Sequence, residues 1–172
     1  MPNYRRLYNS GGTYAFTICL ADRRSDVLTS NIGYLRKSFA SVRLSHPFEL
    51  LAICVLPDHL HMLCELPDGD SDFSTRINQL KGRFTKQLPE HLKHIGRKRE
   101  RGVWQHRFWE HCIRDDADFE DHFAYIHDNP VRHGYVSHPG HRPACTTYPR
   151  GPFTSCRVVL RTARPRSILL RA

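Results

Sequence analysis

Two histidines one residue apart, His59-Leu60-His61, are the side chains whose types and spacing point most directly to chemistry. On a strand, successive side chains alternate faces, so both imidazoles project to one side and Leu60 and Met62 to the other. Two imidazoles held in this way make half of a divalent-metal site. The plain alternative is a polar pair on the solvated face of a strand. A second pair lies in Tyr125-Ile126-His127-Asp128-Asn129-Pro130. Tyr125 and Asn129 are four residues apart, which on a helix places them on one face with Cβ atoms about 5–6 Å apart. A phenol can attack phosphorus to give a covalent intermediate, and an amide oxygen one turn away can ligate a hard cation. The alternative here is a Tyr125 packed in the core with Phe119 and Phe123, and an Asn129 that only ends the helix before Pro130. A third stretch, Trp104-Gln105-His106-Arg107-Phe108-Trp109-Glu110-His111, interleaves aromatic and basic residues. Such a run suits unpaired bases stacked between cations that hold phosphates; equally, its aromatic residues could be core.

These residues need elements to position them. Thr13–Leu20 (TYAFTICL) is β-branched and aromatic, is entered from Gly11-Gly12, and reads as a strand. Before it lies a basic arm with Arg5 and Arg6. Leu28, Ile32, Leu35, Phe39 and Val42 recur at steps of three and four, which predicts one helix over 28–44, capped by Thr29 or Ser30 and stopped at His46-Pro47. Two apolar strands, 48–56 and 59–66, are separated by Pro57-Asp58 and predict an antiparallel hairpin. A helix over 73–88 turns Ile77, Leu80, Phe84 and Leu88 to one side and Arg76, Lys81, Arg83 and Lys86 to the other. The charge run 93–101 predicts a loop. Short strands follow at 103–108 and 111–114, then a helix from about Ala117 to Asn129, capped by Asp115 or Asp116 and ended by Pro130. This order suggests an α+β domain over residues 1–137, with helices packed on one face of an antiparallel sheet. From 138 onward, prolines at 139, 143, 149, 152 and 165 and weak periodicity predict a loosely structured basic tail.

Composition narrows the function classes. Twenty-six Lys and Arg against seventeen Asp and Glu leave the 172 residues at +9, so a polyanion is the first partner to consider. No apolar run approaches the roughly 20 residues of a membrane span, which favours nucleic acid over lipid. The six cysteines form no CxxC pair, which argues against a zinc ribbon, and Cys19, Cys54 and Cys64 sit in apolar runs as free thiols do in a reducing, cytoplasmic compartment.

Taken together, the segments NYRR, GGTYAFT, LPDHLHML, LPDGDSDFSTR, LKGRFTK, RGVWQHRFWEHCIRDDADF and YIHDNPVRHGYV, in this order from about Asn3 to Val136, resemble the REP-associated tyrosine transposases. These are a branch of the single-tyrosine HUH transposases. The resemblance implies a ferredoxin-like α/β sandwich with the His59/His61 strand central in the sheet. It implies that His59, His61 and Asn129 bind Mg²⁺ or Mn²⁺ and that Tyr125 is the nucleophile. It also implies a substrate: repetitive palindromic hairpins in single-stranded DNA, cut through a 5′-phosphotyrosine and rejoined without ATP or any nucleotide cofactor. Gly11, Gly12 and Thr13 match a signature linked to DNA recognition. Candidate DNA contacts besides these are Arg5, Arg6, Lys81, Arg83, Trp104 and Arg107. The branch can act as a monomer, which is favoured here over a dimer.

One departure stands out. Relatives continue past the GYV-like segment with an aromatic, serine-containing stretch that packs back on the domain, and nothing in the tail after Val136 matches it. Two other function classes therefore stay open at this level: a decayed or domesticated protein that holds DNA hairpins without cutting them, and a ferredoxin-like RNA-binding module whose aromatic residues stack bases.

Overall fold

A computed structural model describes residues 8–93 and 102–137 and the backbone of 145–147. Arg5 and Arg6 of the arm and most of the 93–101 loop lie outside the described residues. Strands β1 (Thr13–Cys19), β2 (Glu49–Val55), β3 (His59–Glu65), β4 (Trp109–Cys112) and β5 (Cys145–Thr147) form one sheet in the order β4-β1-β3-β2-β5. Every pairing is antiparallel. The β2–β3 hairpin turns at Pro57-Asp58 as expected, and β3 runs through the middle of the sheet.

Among the described residues, four α-helices complete the frame: α1 (Val27–Ser30), α2 (Ile32–Ser45), α3 (Phe73–Gln87) and α4 (Asp116–Arg132). The β1–α2–β2–β3–α3–β4 path with strand order 4-1-3-2 is the ferredoxin-like sandwich. On one sheet face, Tyr14, Phe16, Ile18, Leu60 and Met62 meet Leu35, Phe39 and Val42 of α2 and Ile77, Leu80 and Phe84 of α3. This is the main core, and α2 and α3 are the helical layer predicted from the sequence.

The opposite face is covered differently. There Ile126, with Phe119 and Phe123, packs on Ala15, Ala52, Cys54 and Leu63. Small side chains at 15 and 52 let α4 seat close to the sheet. The fold thus has helices on both faces, α1, α2 and α3 on the first and α4 on the second, and the second face is the one to which odd-numbered residues of β1 and β3 point.

Several local expectations are corrected by physical detail. The predicted single helix over 28–44 breaks at Asn31, whose side-chain Nδ2 donates to the Val27 carbonyl (3.0 Å) and whose backbone leaves the helical region. Thr29 and Ser30 do not cap a helix; both hydroxyls donate back to Asp26. Residues 103–108 form no strand beyond a single bridge between Trp104 and Leu20, because Lys81 Nζ donates to the carbonyls of Gln105 (2.7 Å) and His106 (3.3 Å). Arg76 is buried, not solvated, and is held by Asp70 (2.6 Å) and the carbonyls of Pro47 and Asp72.

Pro130 does not end α4. It sits in the last turn, where its missing N–H removes a single helical hydrogen bond, and the helix runs on to Arg132. Gly134, at φ 70°, then closes it: Gly134 N–H donates to Val131 (2.9 Å) and Tyr135 N–H to Pro130 (2.9 Å), a Schellman motif that glycine permits without strain. Asp115 caps the start as predicted, accepting from Asp118 N–H at 2.8 Å. Within the stretch expected to be a loose tail, residues 145–147 add an edge strand against Ala52–Cys54, so the sheet extends beyond the boundary placed at 137. Among the described residues, no helix is long and apolar enough to cross a membrane.

Candidate active site

His59 and His61 lie on the face of β3 that α4 covers. Both are buried, at 4% and 5% exposure, which excludes a solvated polar pair. His61 Nδ1 lies 2.8 Å from Thr17 Oγ1 on the neighbouring strand, where Thr17 is its register partner. His59 Nδ1 lies 2.7 Å from Asp58 Oδ1. An ionised carboxylate only accepts, so this nitrogen carries the proton and Nε2 carries the lone pair. Arg23 completes the chain, its Nε 2.7 Å from Asp58 Oδ2. A carboxylate that orients a histidine by its other nitrogen is the usual support of an imidazole metal ligand.

Electrostatics keep the rings neutral. Burial, then the charges of His59, His133 and Arg23, pushes His61 down to about 4. Burial also lowers His59, although Asp58 opposes it. At neutral pH both rings therefore offer a lone pair and no charge, the form a metal requires.

Helix α4 brings the other two residues to this spot. Tyr125 stands edge-on to His61, with ring centroids 5.3 Å apart, and remains 40% exposed. It is therefore not the core residue of the alternative reading; Phe119 and Phe123 stack on each other instead, 6.0 Å apart. One turn on, Asn129 is completely buried, and neither its Oδ1 nor its Nδ2 has a hydrogen-bond partner among the described residues. His61 Nε2 is in the same state. Buried polar atoms are nearly always satisfied, so an unmatched oxygen and an unmatched imidazole nitrogen mark a place built for something else. The donor set of His59, His61 and Asn129, two imidazole nitrogens and an amide oxygen, fits a divalent ion between hard and borderline. Beside it, a cleft of about 440 Å³ opens between Thr17, His61, Trp109, His122, Tyr125 and Ile126.

The profile of the family described as "Transposase IS200 like" matches residues 10–129, which contain all four of these side chains. The chain is also 47% identical over 140 residues to a Haemophilus influenzae protein named as a putative REP-associated tyrosine transposase, with 79% of this chain and 80% of that one covered. The chain belongs to the REP-associated tyrosine transposases. An Escherichia coli K12 member is 43% identical over 146 residues, covering 85% of this chain and 82% of that protein. A solved structure of a REP-associated tyrosine transposase bound to a REP hairpin shares the fold at a TM-score of 0.75 and 36% identity, over 94% of this chain and all of that one.

In this transposase, not every residue singled out from the sequence reaches the site. Trp104, expected on the DNA, is a core residue at 8% exposure, packed on Phe84 with its indole N–H donated to the Lys81 carbonyl at 3.2 Å. Lys81 and Arg83 belong to α3, in the layer on the far side of the sheet. Lys81 braces the 105–106 segment, and Arg83 bonds to Ser41, Ser45 and Gln79. Arg107 is exposed. Gly11, Gly12 and Thr13 sit at the end of β1 remote from His59, since Thr13 pairs with Glu65 while Cys19 pairs with His59. Their identity has a structural reason. Gly11 adopts φ 67°, and a Cβ on Gly12 would lie 3.0–3.1 Å from Asn9 and the Tyr14 ring.

Other residues join the site without having been singled out. Asp58 and Thr17 orient the histidines, and His133 brings a third imidazole to within 5.1 Å of the His59 ring. Asp58 directly precedes His59, and such adjacency of carboxylate and histidine is a signal readable in the sequence. Arg132, two turns after Tyr125, places its guanidinium 5.2 Å from the centre of the Tyr125 ring.

A second cluster, His111, Asp118 and His122, also gathers metal-ligating types. Its hydrogen bonds are already complete. Asp118 receives Nε2–H of His111 (2.8 Å) and both the backbone N–H and Nε–H of Arg114, at 3.0 and 3.2 Å. His122 Nδ1 lies 2.9 Å from the Asp118 carbonyl, a bond only N–H can make. Burial would raise the Asp118 carboxyl; the hydrogen bonds and the His111 charge overcome it and hold the group well below the usual carboxylate range. With a guanidinium in place and His122 Nδ1–H committed to the Asp118 carbonyl, this is a hydrogen-bonded brace for β4 and α4.

Proposed function

We propose that this transposase cuts and rejoins single-stranded DNA at REP-type hairpins, using Tyr125 as nucleophile and a divalent ion, Mg²⁺ or Mn²⁺, held by His59, His61 and Asn129. The observation that carries this reading is the meeting of Tyr125 with His61, one helical turn before a wholly buried Asn129 whose amide, like His61 Nε2, has no partner among the described residues. The hairpin substrate is supported by the REP hairpin bound to the structural relative and by the +9 balance of this chain.

The chemistry follows from the placement. Tyr125 Oη attacks the scissile phosphorus, the bond from phosphorus to the 3′-oxygen breaks, the phenol loses its proton and the leaving 3′-oxygen gains one. When bound, the ion would draw charge from the phosphate and favour the transition state. Asp58 and Thr17 hold the two imidazoles in the orientation that presents Nε2. Arg132 lies against the ring face, where a cation favours negative charge developing on the phenol. The phosphotyrosine retains the phosphodiester bond energy, so a second 3′-hydroxyl can reverse the step and join strands without a nucleotide cofactor.

All four site residues come from one chain, which supports action as a monomer. Free thiols at Cys19, Cys64 and Cys112 suit the reducing cytoplasm where such DNA is found. The test is incubation of the protein with a labelled REP-type hairpin and Mn²⁺, resolved on a denaturing gel. A nick and a slow-migrating protein–DNA adduct are expected, both absent with Tyr125→Phe. Hairpin binding with neither product from the native protein would instead fit a binding-only role.

A further inference from the structure

We propose that Trp109 is the stacking platform for the unpaired base next to the scissile phosphate. This rests on the cleavage reading above and adds the residue that would position the strand.

The placement comes from register. Thr17 pairs with Trp109 on one side and with His61 on the other, so Trp109, Thr17 and His61 form one cross-strand row on the face that α4 covers. Two strand spacings separate the ends of that row, about 9–10 Å, a span suited to a nucleotide with its phosphate at His61 and its base beyond. The cleft joins the two ends, with Trp109 on one wall and Tyr125 and His61 on another.

The ring is both open and fixed. Trp109 is 48% exposed, unlike the buried Trp104. It lies nearly parallel to His111 (centroids 5.9 Å apart, 5° between planes) and to His122 (6.2 Å, 15°), and these two rings stack on each other at 4.5 Å. Asp118 pins His111 by hydrogen bonds, so the plane of the indole is set by a braced stack. A large aromatic ring held in place with a solvent-facing side suits a nucleobase, since every base has a π-face. Asp121 also lines the cleft, and its carboxylate repels phosphate from that wall, which leaves the base as the part of the nucleotide that enters.

The test uses the two-tryptophan chain as it stands. In the Tyr125→Phe background no chemistry occurs, and binding of a REP-type hairpin with a single-stranded flank is read by tryptophan fluorescence. Quenching is expected, and Trp109→Phe should abolish it while preserving affinity within a few-fold. Trp109→Ala should weaken binding and single-turnover cleavage by roughly 10- to 100-fold, as loss of one stacked base predicts. On an oligonucleotide with an abasic nucleotide at the platform position, found by moving the abasic site along the flank, native protein and Trp109→Ala should bind equally. Unchanged fluorescence on binding, native behaviour of Trp109→Ala, or a deficit that persists at every abasic position would each overturn the platform. Absence of cleavage by the native protein with quenching intact would count against the cleavage reading and leave the platform standing.

Discussion

Tyr125 stands edge-on to His61 at a ring-centroid distance of 5.3 Å, with the phenol on the solvent side and the imidazole on the buried side. The proposed nucleophile is thus presented at the mouth of the site, while the imidazole proposed to hold the ion is sheltered beneath it. Because Tyr125 is 40% exposed, Tyr125→Phe should change stability by less than about 0.5 kcal/mol and leave hairpin affinity intact. Thermal melts and a gel-shift titration check this; a collapse of either would make Tyr125 a structural residue.

The buried amide of Asn129 predicts an unusual pair of effects. Replacement by Leu, similar in size and needing no partner, should leave the ion-free protein as stable or more stable, by about 1 kcal/mol. The same change should shrink the stabilisation by Mn²⁺, which for the native protein is about 2.7 kcal/mol at an ion concentration roughly 100 times Kd. Melting curves with and without Mn²⁺ measure both. Equal Mn²⁺ stabilisation of the native and Asn129→Leu proteins would remove Asn129 from the ligand set.

Asp58 touches His59, not substrate, so Asp58→Asn should act through the ion. Expected is a roughly 10- to 100-fold higher Mn²⁺ requirement, with cleavage largely restored at saturating Mn²⁺. The measurement is cleavage rate against Mn²⁺ concentration, and an unchanged midpoint would exclude the orienting role.

Much of the site is legible in the sequence, and the reasons differ by residue. Period two on β3 puts His59 and His61 on a shared face, and period 3.6 does the same for Tyr125 and Asn129, because both depend on local geometry alone. What brings the two pairs together is α4 seated on small residues from β1 and β2, a long-range fact that no local pattern carries. Trp104 and Trp109 illustrate the same limit. Five residues apart in one aromatic run, one is core and the other exposed, and the difference lies in the single bridge from Trp104 to Leu20 and in the position of β4 at the sheet edge. The break at Asn31 leaves no mark on the hydrophobic pattern, because the apolar faces of α1 and α2 stay in phase across it.

Asp118 makes a pH prediction. Its folded carboxyl titrates below the unfolded value of about 3.9, so its contribution is complete above that value and is lost as pH falls through the folded one. Asp118→Asn should lower stability at pH 7 by about 1–3 kcal/mol, through donors left unmatched, and flatten the decline below about pH 4. Urea unfolding at pH 7, 4 and 3 tests it; parallel native and variant curves would refute the assignment.

The central claim is a covalent bond between Tyr125 and the 5′-phosphate of cut DNA, and mass spectrometry of the adduct tests it most directly. After reaction with a REP-type hairpin and Mn²⁺, nuclease trimming and proteolysis, the peptide containing Tyr125 should carry the added mass of a 5′-phosphonucleotide on the tyrosine. A nucleotide found on another residue, or cleaved DNA with no nucleotide attached to any peptide, would contradict it.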